Sequence, residues 1–130
     1  MRLLHAVPLL AIASAPAAHA AVIVVGSCVT GATSLPTITQ AIAAAGTNAL
    51  IKICPGTYAE QLTITKSLKL AGIASGGSSQ VLIVPPAGGL LNNAPDLDTG
   101  QPTAAQIAVQ GATVSISGVT VDGTGNGIGT

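Results

Sequence analysis

The chain has 130 residues, with four basic and four acidic side chains, so its formal net charge is zero at neutral pH. It contains one tyrosine and neither tryptophan nor phenylalanine. A nearly uncharged chain without a basic run offers no electrostatic surface for nucleic acid or for an anionic membrane, and we predict that it binds neither.

Residues 1–20 have the layout of a secretory signal peptide. Arg2 precedes an apolar centre from Leu3 to Ile12, and the small residues Ala18 and Ala20 form an A-x-A site. We predict cleavage after Ala20, a secreted or periplasmic location, and no membrane span once the signal is removed. A retained anchor is the alternative, which an apolar run shorter than about 18 residues disfavours.

Removal of this signal changes the composition of the mature chain. Both histidines and the single arginine lie within residues 1–20, which leaves three lysines against four acids, a formal net charge of −1. The sequence contexts of the remaining titratable groups indicate exposed side chains, and none has a neighbour that would shift its pKa for acid–base catalysis. We assign no catalytic residue and no cofactor to the chain.

Cys28 and Cys54 are the two cysteines of the sequence. Exported proteins usually pair their thiols, so we predict a Cys28–Cys54 disulfide. The alternative is that Cys54 packs as a small apolar residue at a strand end. A metal or nucleophilic role is disfavoured because the mature chain has no histidine to complete either site.

A strand and a short amphipathic helix are predicted before residue 50. Val22–Val25 is a short apolar run typical of a buried strand. Ser34 is a suitable helix N-cap, Pro36 suits the first turn and Gly46 suits the end. Between them, apolar residues repeat at the helical spacing i, i+3, i+4, i+7 at Ile38, Ala41, Ile42 and Ala45. A helix with one apolar stripe ahead of stacked strands predicts a cap over their open end.

Three short runs with strict alternation follow between Leu50 and Gly72. Apolar residues flank a polar one in Ile51–Ile53, Leu62–Ile64 and Leu68–Leu70. This is the period of a strand with one buried face. Pro55 and Gly56 predict a turn between the first two strands.

The same pattern returns later in the chain. Ile51–Pro55 is echoed by Val81–Pro85, Leu62–Ile64 by Ile107–Val109, and Leu68–Gly72 by Val114–Gly118. Equivalent starts lie 30 residues apart, a Gly/Ser turn is predicted at residues 75–79, and residues 119–121 supply one more strand. A repeat made of strands without an internal helix predicts a parallel β-solenoid.

Residues 34–124 resemble the first coils of a known family. The most specific part is the PGTY-x-E piece, made of Pro55, Gly56, Thr57, Tyr58 and Glu60. It resembles the N-terminal portion of the right-handed parallel β-helix, or pectin lyase-like, superfamily, which includes pectate lyases, pectin methylesterases, polygalacturonases and non-catalytic periplasmic proteins. The resemblance implies structural roles, with Tyr58 covering a corner and Glu60 on a solvated turn. The catalytic residues of those enzymes lie on later coils than this chain has, so none carries over.

The predicted architecture is therefore all-β: a right-handed parallel β-helix of about two to three coils with an N-terminal capping α-helix. We divide the chain into a signal peptide (1–20), an N-terminal strand and capping helix (21–49), and β-helix coils (50–130) that are incomplete at the C-terminus. An uncovered last coil predicts self-association.

The second copy of the repeat contains an insertion of about 15 residues between Val84 and Ile107. Inserted loops are where solenoids place function. This one contains Asp96 and Asp98, a weak candidate pair for Ca²⁺, with an ordinary Asx-turn as the favoured alternative.

Two functional hypotheses remain. The favoured one is a non-catalytic extracytoplasmic β-helix domain: a structural or surface-interaction module, with polysaccharide as a candidate partner, or a piece of a longer protein. The alternative is the N-terminal part of a polysaccharide-active enzyme of the pectate lyase, pectin methylesterase or polygalacturonase type, with an active site beyond Thr130. We predict that the chain itself neither cleaves nor de-esterifies pectic polysaccharide.

Overall fold

A computed structural model describes residues 21–74 and 80–127. The predicted signal peptide with its cleavage site, and the Gly/Ser turn predicted at residues 75–79, lie outside these described residues.

The described residues form short strands and one seven-residue helix. In chain order the elements are β1 (Val22–Val25), β2 (Ser34–Leu35), α1 (Ile38–Ala44), β3 (Leu50–Ile53), β4 (Gly56–Ala59), β5 (Leu62–Ile64), β6 (Leu68–Gly72), β7 (Val81–Val84), β8 (Ala94–Pro95), β9 (Pro102–Thr103), β10 (Ile107–Val109), β11 (Val114–Ser117) and β12 (Val119–Val121).

Apart from the β1–β2 and β8–β9 pairs, successive strands do not pair with each other but with strands one coil away. The first sheet has the order β11-β6-β3-β1-β2, the second β12-β7-β4, and the third β10-β5, and all their pairings are parallel. A chain that visits three parallel sheets in turn and then returns to the first is a parallel β-helix. The predicted all-β solenoid is confirmed.

The core lies between the three sheets because alternate side chains of each strand point inward. In β3 the outward Lys52 is exposed, whereas Ile51 and Ile53 on either side of it are fully buried. The inward residues of β5, β6 and β7 are likewise buried, and together with the apolar face of α1 they make one continuous cluster.

The helix covers the N-terminal end of this core, as predicted. Its apolar residues Ile38, Ala41 and Ile42 are buried, as is the following Ala45. The predicted N-cap was wrong, however: Ser34 lies in β2, where it pairs with Val24. Thr37 caps the helix instead, its hydroxyl accepting a hydrogen bond from the Gln40 amide at 3.2 Å.

The repeat was predicted correctly in two of its three parts. Leu62–Ile64 does stack on Ile107–Val109, and Leu68–Gly72 on Val114–Ser117. Val81–Val84 is not the equivalent of Ile51–Ile53, because β7 pairs with β4 in the second sheet, while Ile51 pairs with Leu70 in the first. Apolar composition alone does not say which sheet a strand joins.

The sequence pattern also missed β4. A turn was predicted at Pro55 and Gly56 and no strand after it, but Gly56–Ala59 is a strand whose residues are mostly exposed. Its backbone pairs with β7 in the register Gly56↔Val81 to Ala59↔Val84. Without a buried alternating face, a strand of this kind leaves no periodic signal.

Two glycines let adjacent coils approach at the corner between the first and second sheets. A Cβ on Gly72 would lie 1.9 Å from the carbonyl oxygen of Gly118, which itself has φ +64. Since neither backbone can move without displacing a strand, both positions need glycine.

Candidate functional site

The last coil of the β-helix is open. Its three strands, β10, β11 and β12, each lie at the outer edge of one of the three sheets. Together we call them the open coil. Because all three edges face the same end of the helix axis, the described residues present a complete coil cross-section on which no further strand stacks.

The inward side chains of the open coil form an apolar set, here called the core-facing set: Ile107, Val109, Val114, Ile116, Val119 and Val121. Their register partners one coil below, which are Leu62, Ile64, Leu68, Leu70, Val81 and Ile83, are 0–1% exposed. In the open coil, by contrast, Val109 is 45%, Ile116 40% and Val121 47% exposed. These residues are of the types found in a buried coil, and no strand among the described residues covers them.

The backbone of the core-facing set is unpaired on the open side. Leu68 N–H donates to the Thr113 carbonyl, Gln110 N–H to the Ile64 carbonyl and Asp122 N–H to the Ile83 carbonyl. Along a strand of a parallel sheet, the backbone N–H and C=O groups of successive residues point alternately to one side and the other. The core-facing residues therefore point theirs away from the coil below. The open coil thus offers three edges ready to accept further strands.

The opposite end of the β-helix is closed by α1, and two charged side chains hold that helix. Glu60 accepts hydrogen bonds from the amides of Ile38 (2.9 Å) and Thr39 (2.8 Å) and from the Thr39 hydroxyl (2.6 Å). Lys66 donates to the carbonyls of Ala43 (3.1 Å) and Ala45 (2.6 Å) at the other end of the helix. A carboxylate at the N-terminus and an ammonium at the C-terminus both complement the helix dipole. Glu60 therefore has a more specific contact than the solvated turn that the resemblance implied.

The two cysteines and Tyr58 meet at one corner. The Cys28–Cys54 disulfide is present, with 5.6 Å between the Cα atoms, so that prediction is confirmed. Tyr58, in β4, donates its hydroxyl to the Cys54 carbonyl at 2.7 Å. Burial raises the pKa of the Tyr58 phenol, and the charge of Glu60 raises it further. The phenol is therefore a fixed hydrogen-bond donor rather than a titrating group.

Residues 85–106, which connect β7 of the second sheet to β10 of the third, form a segment that we call the arm. It contains the antiparallel pair β8–β9 and is tied to the coils by amide side chains. Gln61 bonds both backbone groups of Leu91 side by side, at 2.6 and 2.9 Å, and so ties the arm to the coils. Within the arm, Asn93 bonds both backbone groups of Ala105 in the same way, at 2.9 Å each. No pattern in the sequence predicts these contacts, because they join residues 12 and 30 positions apart.

The candidate calcium pair lies in the tight turn at the tip of this arm. Asp96 Oδ1 accepts from the amides of Asp98 (3.0 Å) and Thr99 (2.8 Å) and from the Thr99 hydroxyl (2.9 Å). The hydrogen bonds from Thr99, and then that from the Asp98 amide, lower the pKa of Asp96. These contacts form the Asx-turn that was the favoured alternative. The calcium hypothesis stays a prediction, and one oxygen of Asp96 already accepts three hydrogen bonds.

Asp122 is held in a similar way directly after β12. Its Oδ1 accepts from the Thr124 amide at 2.9 Å, and the hydrogen bonds from Thr124 lower its pKa. A general acid at neutral pH needs the opposite shift. Within residues 21–74 and 80–127, no three His, Cys, Asp or Glu side chains are grouped so as to hold a metal ion.

An apolar groove of about 400 Å³ runs between the arm and the edge of β10. Its lining includes Ala94, Pro95, Leu97 and Val109, and Leu97 is fully exposed. The groove therefore extends the apolar surface of the open coil. As for membranes, no helix in the described part of the chain has the length and hydropathy of a transmembrane span.

Comparisons with known proteins give one solved structure. No protein-family model matches the chain, and no curated protein matches it. A crystal structure of a pectin methylesterase in complex with hexasaccharide VII is similar, with 25% sequence identity and a TM-score of 0.48. The match covers 77% of this chain and 30% of that one, so this chain spans less than a third of the length of that enzyme.

The class of the protein follows from its own sheets. In the part of the chain that the structure describes, three parallel sheets enclose one apolar core, which α1 covers at one end; this arrangement defines a parallel β-helix. Its distinctive surface is the open coil with the adjoining arm groove.

Proposed function

We propose that the chain forms a non-catalytic, extracytoplasmic β-helix domain that acts as a structural or surface-interaction module and self-associates through its open coil. A secreted or periplasmic location is supported by the disulfide, which is typical of an oxidising compartment.

One observation carries the proposal. The core-facing set repeats the apolar side chains of the buried coil below it, yet Val109, Ile116 and Val121 are 40–47% exposed. Strands IAV, VSIS and VTV contain no charged residue and no proline. Proteins that keep a sheet edge free usually protect it with lysine, proline or a bulge, and an unprotected edge is a template for strand addition.

The titratable groups support a binding role over chemistry. Asp96 and Asp122 have lowered pKa values and stay ionised, while Glu60 and Lys66 bind the ends of α1. Each of these four side chains thus has a local structural partner.

The test compares Ile116→Lys with Ser117→Lys in the mature protein. Both add one positive charge to β11, but Ile116 belongs to the core-facing set and Ser117 does not. We expect wild type to associate in light scattering at rising concentration, Ser117→Lys to behave similarly, and Ile116→Lys to weaken association by at least tenfold. Circular dichroism must show both variants folded. A wild-type monomer at all concentrations, or equal effects of the two variants, would contradict the proposal.

The prediction that the chain itself neither cleaves nor de-esterifies pectic polysaccharide has its own assay. Mature protein is incubated with polygalacturonate and with methylated pectin, with and without Ca²⁺, while unsaturated ends, reducing ends and methanol are followed. We expect no turnover. Turnover that disappears in Asp96→Asn or Asp122→Asn would overturn the non-catalytic assignment, and binding of the same polymers without turnover would identify polysaccharide as a partner.

A further inference from the structure

We propose that a polar groove on the outer face of the first sheet binds a sulfate or phosphate group carried by a polysaccharide. The groove has a volume of about 340 Å³ and lies beside the starts of β3, β6 and β11. Its lining residues are Asn48, Ser67, Leu68, Lys69, Thr113 and Ser115. None of them belongs to the core-facing set, so this site is separate from the open coil and goes beyond the proposed function.

Three successive coils turn the same corner at this groove and stack polar residues there. Asn48 has a left-handed φ of 65°, and its amide donates to the Ser67 carbonyl at 2.6 Å. The Ser67 hydroxyl accepts a hydrogen bond from the Thr113 amide at 3.0 Å. These contacts hold the backbone of the corner in place, and Ser67 is the one lining residue whose side chain they use.

The other polar side chains of the lining are hydrogen-bond donors that have no protein partner among residues 21–74 and 80–127. They are the Asn48 amide, the Thr113 and Ser115 hydroxyls and the Lys69 ammonium. The strand register places Ser115 directly beside Lys69, on adjacent strands that are about 4.8 Å apart. A group of free donors that includes one positive charge is suited to an anion.

The electrostatic surroundings of the groove are positive, although the formal net charge of the chain is zero. The four acids of the sequence lie at α1, in the arm and after β12; they are Glu60, Asp96, Asp98 and Asp122. Lys52 is also exposed on the outer face of the first sheet, one strand from Lys69 and two residues along. The two Cα atoms are therefore about 8 Å apart. No acid neutralises Lys69, and Lys52 adds a second positive charge to the same face.

The residue types favour a sulfate or phosphate ester over a carboxylate. Proteins typically bind a planar carboxylate through the two parallel donors of an arginine, and the single arginine of this sequence is Arg2. Lysine acts instead as a point charge, which suits a tetrahedral group. The free oxygens of such an ester can accept hydrogen bonds from Lys69, Thr113 and Ser115. The Asn48 amide both donates and accepts, which suits a neighbouring sugar hydroxyl.

A polysaccharide fits this surface better than nucleic acid or a membrane. Single-stranded nucleic acid is bound by stacking on aromatic rings, and the one aromatic residue, Tyr58, bonds the Cys54 carbonyl at a different corner. Anionic lipids are bound by clusters of about four to eight basic residues, more than the two lysines of this face. A substituted polysaccharide presents the same anionic group repeatedly, so that a weak site gains affinity through multivalency.

The first experiment titrates the mature protein with sodium sulfate and with sodium phosphate, at constant ionic strength, while NMR follows the backbone amides. We expect the largest shifts at Asn48, Lys69, Thr113 and Ser115. The matched variants are Lys69→Gln and Lys52→Gln, which each remove one charge from the same face. Lys69→Gln should weaken binding by about fivefold or more and Lys52→Gln by less than about twofold, because only Lys69 lines the groove. Circular dichroism must show both variants folded.

The second experiment compares dextran sulfate with neutral dextran, polygalacturonate and duplex DNA. We expect dextran sulfate to bind about tenfold more tightly than the other three, and Lys69→Gln to remove that advantage. Equal losses in the two lysine variants, or no shift at the groove with sulfate, phosphate or dextran sulfate, would overturn the site. Polygalacturonate or DNA binding as tightly as dextran sulfate would overturn the assigned ligand. Each of these failures leaves the proposed function intact, because the light-scattering test of the open coil does not involve Lys69.

Discussion

Glu60 and Lys66 lie six residues apart, one before and one after β5, and they hold opposite ends of α1. The Glu60 carboxylate accepts three hydrogen bonds at the first turn, and the Lys66 ammonium donates two at the last. A seven-residue helix is too short to be stable by itself, because the cost of nucleation is spread over few hydrogen bonds. The residues on either side of β5 therefore supply a charged partner for each end of the helix.

The first prediction concerns the N-terminal end of this helix. Glu60→Ala should lower the free energy of unfolding by about 1 to 2 kcal/mol, because it leaves the Ile38 and Thr39 amides without acceptors. The measurement is urea unfolding. Asp98→Ala, which removes an exposed acid in the arm turn, is the control and should change stability by less than about 0.5 kcal/mol. Equal effects would show that the Glu60 contacts contribute nothing.

The second prediction concerns the C-terminal end. Lys66→Met should cost about 0.5 to 1.5 kcal/mol, since it keeps the side-chain volume but removes the donor to the Ala43 and Ala45 carbonyls. Lys69→Met, an exposed lysine two positions into β6, should cost less than about 0.5 kcal/mol. Thermal unfolding of both variants against wild type measures the difference. A larger loss for Lys69→Met would contradict the assignment.

The third prediction concerns the Cys28–Cys54 bond. It closes a loop of about 27 residues, and the chain-entropy model makes such a crosslink worth about 3 to 4 kcal/mol. Unfolding with and without reductant should show a loss of that size, while a Cys28→Ala/Cys54→Ala variant should be insensitive to reductant. Alkylation without reductant, followed by mass spectrometry, is the direct check. Two alkylated cysteines in protein recovered from outside the cytoplasm would refute the pairing.

The fourth prediction concerns the close contact between coils. Gly72→Ala should destabilise the protein by at least about 1 to 3 kcal/mol, because the added methyl group would overlap the Gly118 carbonyl. Gly46→Ala is the matched control: a Cβ at Gly46 meets nothing within 4 Å, so this change should be neutral or slightly stabilising. The measurement is the midpoint of chemical unfolding of each variant. An unchanged midpoint for Gly72→Ala would show that the contact between the two coils can accommodate a methyl group.

The fifth prediction concerns the titration of the two turn aspartates. Carboxyl resonances followed by NMR against pH should give Asp96 and Asp122 midpoints below the ordinary pKa of 3.8. Because the folded pKa is lowered, the stabilisation is present above pH 3.8 and is lost as the pH falls through the folded pKa. Thr99→Val should raise the Asp96 midpoint and leave Asp122 unchanged, and Thr124→Val should do the reverse. If either variant moved both midpoints together, the hydrogen bonds would not be the cause.

The alternating runs of β3, β5 and β6 and the apolar stripe of α1 were predictable from sequence. In each, every inward position is Leu, Ile, Val or Ala, and the periods of 2 and 3.6 are properties of the local backbone alone. The disulfide was also predictable, since the two cysteines of the sequence leave one intramolecular pairing.

Other features depended on contacts between distant residues. Ser34 has a suitable side chain for an N-cap, but its backbone joins β2, and Thr37 takes that role. Strand β4 exists because β7 pairs with it, not because its own residues alternate. Likewise, Val81–Val84 matches Ile51–Ile53 in composition but belongs to a different sheet.

The sequence by itself determined that this chain makes short half-buried strands, one capping helix and a stacked core, because those follow from side-chain periodicity. Only the tertiary structure decided which strand stacks on which, that Glu60 and Lys66 bind the two ends of α1, and that β10, β11 and β12 end together in one open coil. The reason is that hydrogen-bond pairing between coils joins residues 19 to 46 positions apart. Over such separations the partner is selected by the geometry of the whole coil and not by neighbouring residues.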